Sequence, residues 1–147
     1  MLQFYKDYFE RLQHLHEEAK QALDGLEGEK LSRKPGPEMN SLCVLGTHIA
    51  GAERFWIGDV AMNDPSQRNR DNEFQAICHN TLEMTGRLDD SLSYIQRALD
   101  NLTLEELEKP RTTPDGRHVT VGWCLSHVLS HTALHVGHMQ LTRQLLT

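Results

Sequence analysis

Four of the nine histidines in this chain lie close together, within residues 127–138. Nine histidines spread at random over 147 residues would place fewer than one in such a window. The four are His127, His131, His135 and His138, and their segment reads TVGWCLSHVLSHTALHVGHMQLTRQLL from position 120. Counted at about 100° per residue, they fall within about 80° of arc on one side of an α-helix. Imidazole is a common ligand of divalent metals, so this spacing indicates metal chemistry.

The same helical count predicts a buried position for this histidine stripe. It places one cysteine and three leucines on the histidine side: Cys124, Leu134, Leu141 and Leu145. We therefore expect the histidines to face the core. Buried imidazoles resist protonation and need partners for both ring nitrogens, and a shared divalent cation is the simplest partner. Residues four apart in a helix have Cβ atoms about 5 to 6 Å apart, so either His127 with His131 or His131 with His135 could hold one ion.

Two amphipathic helices that could position further ligands are expected in the first half of the chain. Apolar residues recur at a three–four spacing over residues 2–26, which predicts the first helix. A Pro-Gly-Pro loop over residues 29–40 leads to a second helix, expected over residues 41–62. His48 is the lone titratable group at the centre of the apolar face of that helix. Glu53 lies about 140° from His48 by the helical count and is expected to be solvated.

The second half of the chain predicts one more long helix before the histidine segment. Its apolar stripe runs over residues 72–102. Thr103 and Glu106 form a capping-box pattern that predicts a short helical turn. Residues 111–120 contain Pro-Asp-Gly between two β-prone arms, which predicts a small irregular hairpin.

These patterns predict an all-α fold. The expected architecture is a four-helix up-down bundle with a short extra helical turn and a small irregular hairpin before the last helix, as a single domain over residues 1–147. Metal sites in such bundles are built from side chains on facing helices. That arrangement requires His48, His131 and His135 to meet. His16 is expected on an inner face as an ordinary core histidine, and His79 and His118 are expected at the surface.

Composition narrows the classes of partner and compartment. The net charge of −6 argues against nucleic-acid binding, because phosphate-binding surfaces need clustered Lys and Arg. No stretch approaches the roughly 20 apolar residues of a membrane span, and the N-terminal segment is too charged for a secretory signal. We therefore expect a cytoplasmic protein without a membrane partner. Three cysteines without a CxxC pair predict buried free thiols rather than disulfides. The broad apolar circumference of the last helix favours a homodimer.

With these residues in view, the sequence resembles the DinB-like superfamily of small bacterial four-helix bundles with a metal site. Members have a single histidine in the second helix, here within LCVLGTHIAGAERFW, and a last-helix motif close to HxxxHxxxHxGQ. The resemblance covers essentially the whole chain. It implies that His48, His131 and His135 form the metal triad and that His127 either lies in the pocket or supports one of the ligands. His138 departs from the motif, since it occupies the position where relatives commonly have Gln, and three roles stay open for it: an extra ligand, a proton shuttle or a packed side chain.

The resemblance also implies a chemistry. The relatives with known activities resemble thiol-dependent enzymes. These enzymes are mycothiol-dependent isomerases, and S-transferases that use mycothiol, bacillithiol or glutathione. We therefore expect a divalent metal, Zn²⁺ or Ni²⁺, that activates a low-molecular-weight thiol toward an electrophilic small molecule, with His127 or His138 moving a proton. Two alternatives remain open: a hydrolase in which the metal activates water, and a metal-binding stress-response protein without turnover. A fourth protein ligand such as Cys124, His127 or His138 would favour the last alternative.

Overall fold

The structure is a computed structural model that describes residues 1–147 and is mostly helical. In chain order the elements are α1 (Gln3–Leu23), α2 (Gly28–Ser32), α3 (Leu42–Glu53), a π-helical segment (Arg54–Ala61), α4 (Arg70–Glu73), α5 (Thr81–Asp100), a 3₁₀ turn (Glu105–Glu108), β1 (Pro110–Thr112), β2 (His118–Thr120) and α6 (Val121–Leu146). The π-helical segment continues α3 without a break. The predicted fold class, the extra helical turn and the hairpin before the last helix are confirmed.

Capping side chains determine where three of the long helices begin. The hydroxyl of Ser41 accepts a hydrogen bond from the backbone N–H of residue 44, as expected for the start of α3. Asn80 and Thr120 cap α5 and α6 in the same way, through the N–H groups three residues later. At the other end of α1, Gly25 adopts a left-handed conformation with φ of +73°, which glycine tolerates without steric cost.

The long helices form a four-cornered bundle in which α1 and α3 occupy opposite corners. Each of them packs against both α5 and α6. The hydroxyl of Tyr8 reaches the carbonyl of Leu125, near the start of α6, so α1 and α6 run parallel. Arg87 contacts Thr47, near the start of α3, so α3 and α5 run parallel as well. The directions are therefore up, down, down and up, which corrects the expected up-down order, because the connection over residues 62–80 returns along the bundle before α5 starts.

The third long helix begins later than its apolar stripe predicted. The expected start at residue 72 is wrong, because α4 ends at Glu73 and α5 begins only at Thr81. Two features hold the intervening segment away from helical geometry. The side chain of Ser32 hydrogen-bonds the backbone N–H of Cys78 at 3.2 Å, and the side chain of Asn80 caps α5. The apolar residues within 74–78 have a spacing that is compatible with a helix, but they lie in a loop.

The cysteine prediction is wrong for two of the three cysteines. Cys43 at the start of α3 and Cys78 in the loop before α5 form a disulfide, with Cα atoms 5.8 Å apart. Cys124 is free and buried, as expected. The sequence carries no signal for the pair, because 35 positions separate the two cysteines and only the packing of that loop against α3 brings them together.

The buried apolar side chains form two clusters, one in each half of the bundle. One cluster surrounds Tyr5, Trp56 and Cys124, and the other surrounds Leu23, Cys43 and Met139. No helix combines the length and the apolar composition that crossing a bilayer requires.

Glu53 is buried in the interior of the bundle, so the expectation that it is solvated is wrong. Its side chain is 1% exposed. One carboxylate oxygen lies 2.9 Å from Nε2 of His16 and accepts a hydrogen bond from Thr132 at 2.8 Å. The other accepts from Ser91 at 2.6 Å. Donors from α1, α5 and α6 thus converge on one carboxylate of α3, which the helical count of α3 alone could not reveal. His16 is a core histidine, as predicted.

We predict that Glu53→Ala lowers the free energy of unfolding by about 3 kcal/mol, because it leaves three buried donors without an acceptor. Urea unfolding followed by circular dichroism measures this change. Ser91→Ala is the matched control, since it removes a single donor and should cost about 1 kcal/mol. A loss below about 1 kcal/mol for Glu53→Ala would show that the network contributes little.

Candidate metal centre

His48 projects from α3 toward α6 and is held in one orientation. Its ring is buried, and its Nδ1 lies 3.0 Å from Oε1 of Glu73. A carboxylate can only accept here, so Nδ1 carries the proton and Nε2 presents its lone pair. Arg68 Nη2 also lies 3.5 Å from Nδ1, but that donor makes a shorter bond, 2.8 Å, to Glu73. The fixed tautomer is the one in which Nε2 can bind a metal.

The rings of His131 and His135 face His48 across the interface between α3 and α6. Nε2 of His131 lies 3.1 Å from Nε2 of His48. The ring centroid of His135 lies 4.8 Å from that of His48 and 4.4 Å from that of His131. One possible ligand atom from each histidine falls within 4.8 Å of the other two. The structure therefore brings together the three side chains that the sequence singled out.

The stripe of α6 that carries the histidines borders the core instead of facing its centre. The three leucines expected to be buried with it, Leu134, Leu141 and Leu145, are 57%, 50% and 58% exposed. The residues that α6 buries instead are Val121, Cys124, Leu125, Val128, Thr132, Val136, Met139 and Thr142. His131 and His135 lie at the edge of this buried face and are half-buried. The expectation that the histidine side of α6 faces the core is therefore only partly right, and His131 borders a cavity.

The three imidazoles fit a divalent cation by their donor chemistry. The Nε2 atoms of His48 and His131 face each other at 3.1 Å. Because Nε2 of His48 carries a lone pair, a proton or a cation must lie between these two nitrogens. Nδ1 of His131 is buried without a hydrogen-bond partner. Imidazole nitrogens bind Zn²⁺ at about 2.0 to 2.1 Å, and a site with three protein ligands leaves one position open. No further His, Cys, Asp or Glu side chain joins this cluster of possible ligands.

Sequence reasoning missed the two residues that hold His48. Arg68 donates to both carboxylate oxygens of Glu73, at 2.7 and 2.8 Å. Although burial raises the pKa of the Glu73 carboxyl, hydrogen bonds from Arg68 and His48 outweigh it, so this pKa lies below its ordinary value. A Cβ at Gly51 would collide with the Glu73 carboxylate, so glycine in α3 lets that carboxylate reach His48. Only a search for carboxylates beside an expected ligand could have identified Glu73, since it lies 25 positions from His48.

A cavity of about 670 Å³ opens beside the cluster. His48 and His131 line its inner end, and Phe55 and Trp56 of the π-helical segment line one side. Segments of π-helix are frequent at functional sites, because the altered turn redirects side chains. Tyr5 and Tyr8 lie in the core, whereas Phe55 is only partly buried and lines this cavity.

The two remaining histidines of the stripe lie in different surroundings. His127 lines the cavity, with its ring centroid 5.4 Å from that of His131. Burial, followed by the charge of Arg117, lowers the pKa of His127. His138 is exposed and does not line this cavity, but its Nδ1 lies 3.2 Å from Nδ1 of His135. His79 and His118 are exposed, as predicted.

The two candidate ligands of α6, His131 and His135, remain neutral over a wide pH range. The pKa of His131 is lowered from 6.5 to about 3, first by burial and then by repulsion from neighbouring histidines. Burial also lowers the pKa of His135 to about 4, and repulsion from His48 and His138 adds to the effect. Neutral imidazole is the form that binds metal, so protons compete weakly at these two positions near pH 7.

Comparison with known proteins supplies a family match. The sequence profile of the family described as MST, mycothiol-S-transferase, matches residues 8–147. No curated protein sequence matches the chain significantly.

Solved structures supply fold matches at low sequence identity. A DinB-like protein from Bacillus cereus is 18% identical, with a TM-score of 0.76, and the match covers 95% of this chain and 90% of that one. YfiT from Bacillus subtilis, described as a probable metal-dependent hydrolase with an unusual four-helix bundle topology, is 13% identical with a TM-score of 0.76, covering 98% and 89%. A mycothiol-dependent maleylpyruvate isomerase is 13% identical with a TM-score of 0.69, covering 95% and 63%. At these identities the matches establish the fold.

We predict that metal binding depends on His48 directly and on Glu73 through His48. Tag-free His48→Ala should contain no bound divalent metal by mass spectrometry. Glu73→Ala should retain the metal but bind zinc about 10- to 100-fold more weakly, because the ring of His48 loses its orienting partner. A chelating dye in competition measures the affinity. His79→Ala, which changes an exposed histidine, is the control and should match the wild type. Wild-type zinc affinity in His48→Ala would refute the assignment of the ligand.

We also predict that the metal-free protein loses stability as the pH falls from about 6.5 to 5. The pKa values of His131 and His135 are lower in the folded chain than in the unfolded one, so the unfolded chain binds more protons in this range and becomes favoured. Thermal unfolding in EDTA at several pH values measures the slope. The double variant His131→Gln with His135→Gln should show a flatter dependence, whereas an unchanged slope would contradict the assignment.

Proposed function

The chain belongs to the mycothiol-S-transferase family within the DinB-like superfamily, and on that premise we propose that it is a thiol-dependent transferase or isomerase. In this proposal His48, His131 and His135 hold a divalent metal, Zn²⁺ or Ni²⁺. The substrates are a low-molecular-weight thiol and an electrophilic small molecule. The observation that carries the proposal is the convergence of three imidazoles, two of which, those of His48 and His131, line an open cavity.

The chemistry that such a metal supplies when bound is stabilisation of a thiolate relative to its thiol at neutral pH. The chain contributes the orientation of the three ligands. Glu73 fixes the tautomer of His48, and the low pKa values of His131 and His135 keep both rings unprotonated. The cavity volume lies within the usual range for small-molecule sites, about 300 to 1,000 Å³.

His127 is the side chain best placed to accept the thiol proton. It lines the cavity next to His131, and its lowered pKa leaves a ring nitrogen free to take up a proton. In the transfer reaction the thiol sulfur forms a bond to the electrophilic carbon, and the leaving group departs with the electron pair. The proton held on His127 can then pass to the leaving group.

His138 fits a different role from that of His127. It lies outside the cavity, and its Nδ1 faces Nδ1 of His135 at 3.2 Å. A hydrogen bond at Nδ1 of His135 orients its ring and leaves Nε2 available. We therefore propose His138 as a positioning residue for His135. This role suits the position where relatives commonly have Gln, because an amide can also hydrogen-bond a ring nitrogen.

The surroundings of the triad favour an enzyme over a protein that only stores metal. Structural metal sites are closed by a fourth protein ligand. Cys124, one candidate for that ligand, lies within the apolar core, where burial raises its thiol pKa to about 11. Neither His127 nor His138 belongs to the cluster of possible ligands.

A metal-dependent hydrolase is the second candidate function. Its support is the fold similarity to YfiT, which is described as a probable metal-dependent hydrolase. Both reactions need an open coordination position and a neutral base, so the same residues would serve. The two candidates are separated by the requirement for a thiol.

We predict metal-dependent conjugation of a chromogenic aryl halide with mycothiol, bacillithiol or glutathione. His48→Ala should abolish the reaction, and His127→Gln should lower kcat by about 10²-fold or more while zinc content stays unchanged. His79→Ala should behave as the wild type. An absence of turnover with all three thiols, together with metal-dependent hydrolysis of aryl esters or amides, would establish the alternative.

A further inference from the structure

Two aromatic side chains that line the cavity, Trp56 and His127, pack against a third ring, that of Trp123. We call Trp56, Trp123 and His127 the aromatic wall. The rings of Trp123 and His127 are stacked, with centroids 4.8 Å apart and planes inclined by 8°. Trp56 lies 5.0 Å from Trp123 and 4.9 Å from His127. A flat apolar or conjugated group entering the cavity would therefore find an aromatic surface next to His131.

Arg117, which precedes β2, lies over this wall. Its guanidinium carbon is 5.3 Å from the ring centroid of Trp56 and 5.1 Å from that of Trp123. Such contacts hold a guanidinium group in place without using its N–H donors. Arg117 lines the cavity. Its guanidinium group forms no hydrogen bond or salt bridge with another residue of the chain. The N–H donors of its planar guanidinium group are therefore available to a ligand.

The other charged groups of the cavity leave an excess of positive charge there. The carboxylate of Asp59 accepts from Arg54 at 3.0 Å, so these two charges pair. Arg68 and Glu73 pair in the same way. A hydrogen bond from Thr113 and, after it, the charge of Arg117 lower the pKa of Asp115, so this carboxylate is charged and near Arg117, but it makes no salt bridge with that guanidinium. Arg70, at the rim of the cavity, stacks on Phe74 and has no carboxylate partner.

We propose that the small molecule bound in this cavity has a planar, unsaturated body and an anionic group, such as a carboxylate, that pairs with Arg117. This inference rests on the proposed function, because it names the class of the electrophile that the transferase would use. The aromatic wall accepts the planar body, and the guanidinium fork binds two oxygens of the anion. Pairing at a partly solvated arginine gives a preference of about tenfold for the anion over a neutral analogue, which corresponds to about 1.4 kcal/mol.

The two tryptophans of the chain are Trp56 and Trp123, so intrinsic fluorescence reports on this wall. The test uses 4-nitrobenzoate and 4-nitrobenzamide, which share a planar nitroaromatic body and differ in charge. Saturable quenching of tryptophan fluorescence gives the Kd of each probe, first in EDTA and then with zinc. The variants are Arg117→Gln, Arg117→Lys, and Arg33→Gln as a surface control distant from the cavity lining.

We expect metal-free wild type to bind 4-nitrobenzoate about tenfold more tightly than 4-nitrobenzamide. Arg117→Gln should abolish this preference while the Kd for 4-nitrobenzamide stays unchanged. Arg117→Lys should retain part of it, and Arg33→Gln all of it. Equal affinities for the two probes in metal-free wild type would overturn the proposal. So would a preference that survives in Arg117→Gln or that appears only with zinc.

This measurement separates the inference from the proposed reaction. A charge preference that depends on Arg117, in a protein without thiol-transfer activity, would support the anion site and refute the transferase. Thiol-transfer activity without any such preference would support the transferase and refute the anion site.

Discussion

The hydrogen bond between Nδ1 of His48 and the carboxylate of Glu73 fixes the orientation of the ring that α3 presents to α6 at the candidate site. With the proton on Nδ1, the lone pair of Nε2 points toward His131 at 3.1 Å. Arg68 holds the carboxylate through both oxygens, and Gly51 leaves room for it. The connection between the second and third long helices is thus part of the site. The disulfide at Cys78 attaches the end of this connection to the start of α3.

A second buried carboxylate specifies how the helices are aligned beneath the site. Glu53 follows His48 by just over one helical turn, and Thr132 is adjacent to His131. The hydrogen bond between Glu53 and Thr132 therefore aligns α3 with α6 at the level of the candidate ligands. His16 and Ser91 extend the same network to α1 and α5. A carboxylate that needs three donors from three helices is satisfied in one register only, whereas apolar contacts tolerate sliding.

Part of the cavity lining comes from the π-helical segment that follows Glu53. The π-helical segment brings Phe55, Trp56 and Asp59 to one side of the cavity, and the hairpin brings Arg117 to the same region. The result is an open space bordered by imidazoles, by aromatic rings and by a guanidinium group without a salt-bridge partner. In this arrangement a ligand can contact the candidate metal position, a neutral base and a cation together.

The sequence by itself determined the elements and the identity of the three clustered histidines. Periodicity, capping residues and the Pro-Asp-Gly turn are local signals, so the bundle, the short turn before Pro110 and the hairpin could be predicted from them. The four-residue spacing in the last helix, together with the family motif, was sufficient to select His131 and His135. Only the tertiary structure decided the later start of the third long helix, the disulfide, the burial of Glu53 and the roles of Glu73 and Arg68. Each of these depends on contacts between residues distant in the chain or on loop geometry, and helical spacing reports only which residues share a face of the same helix.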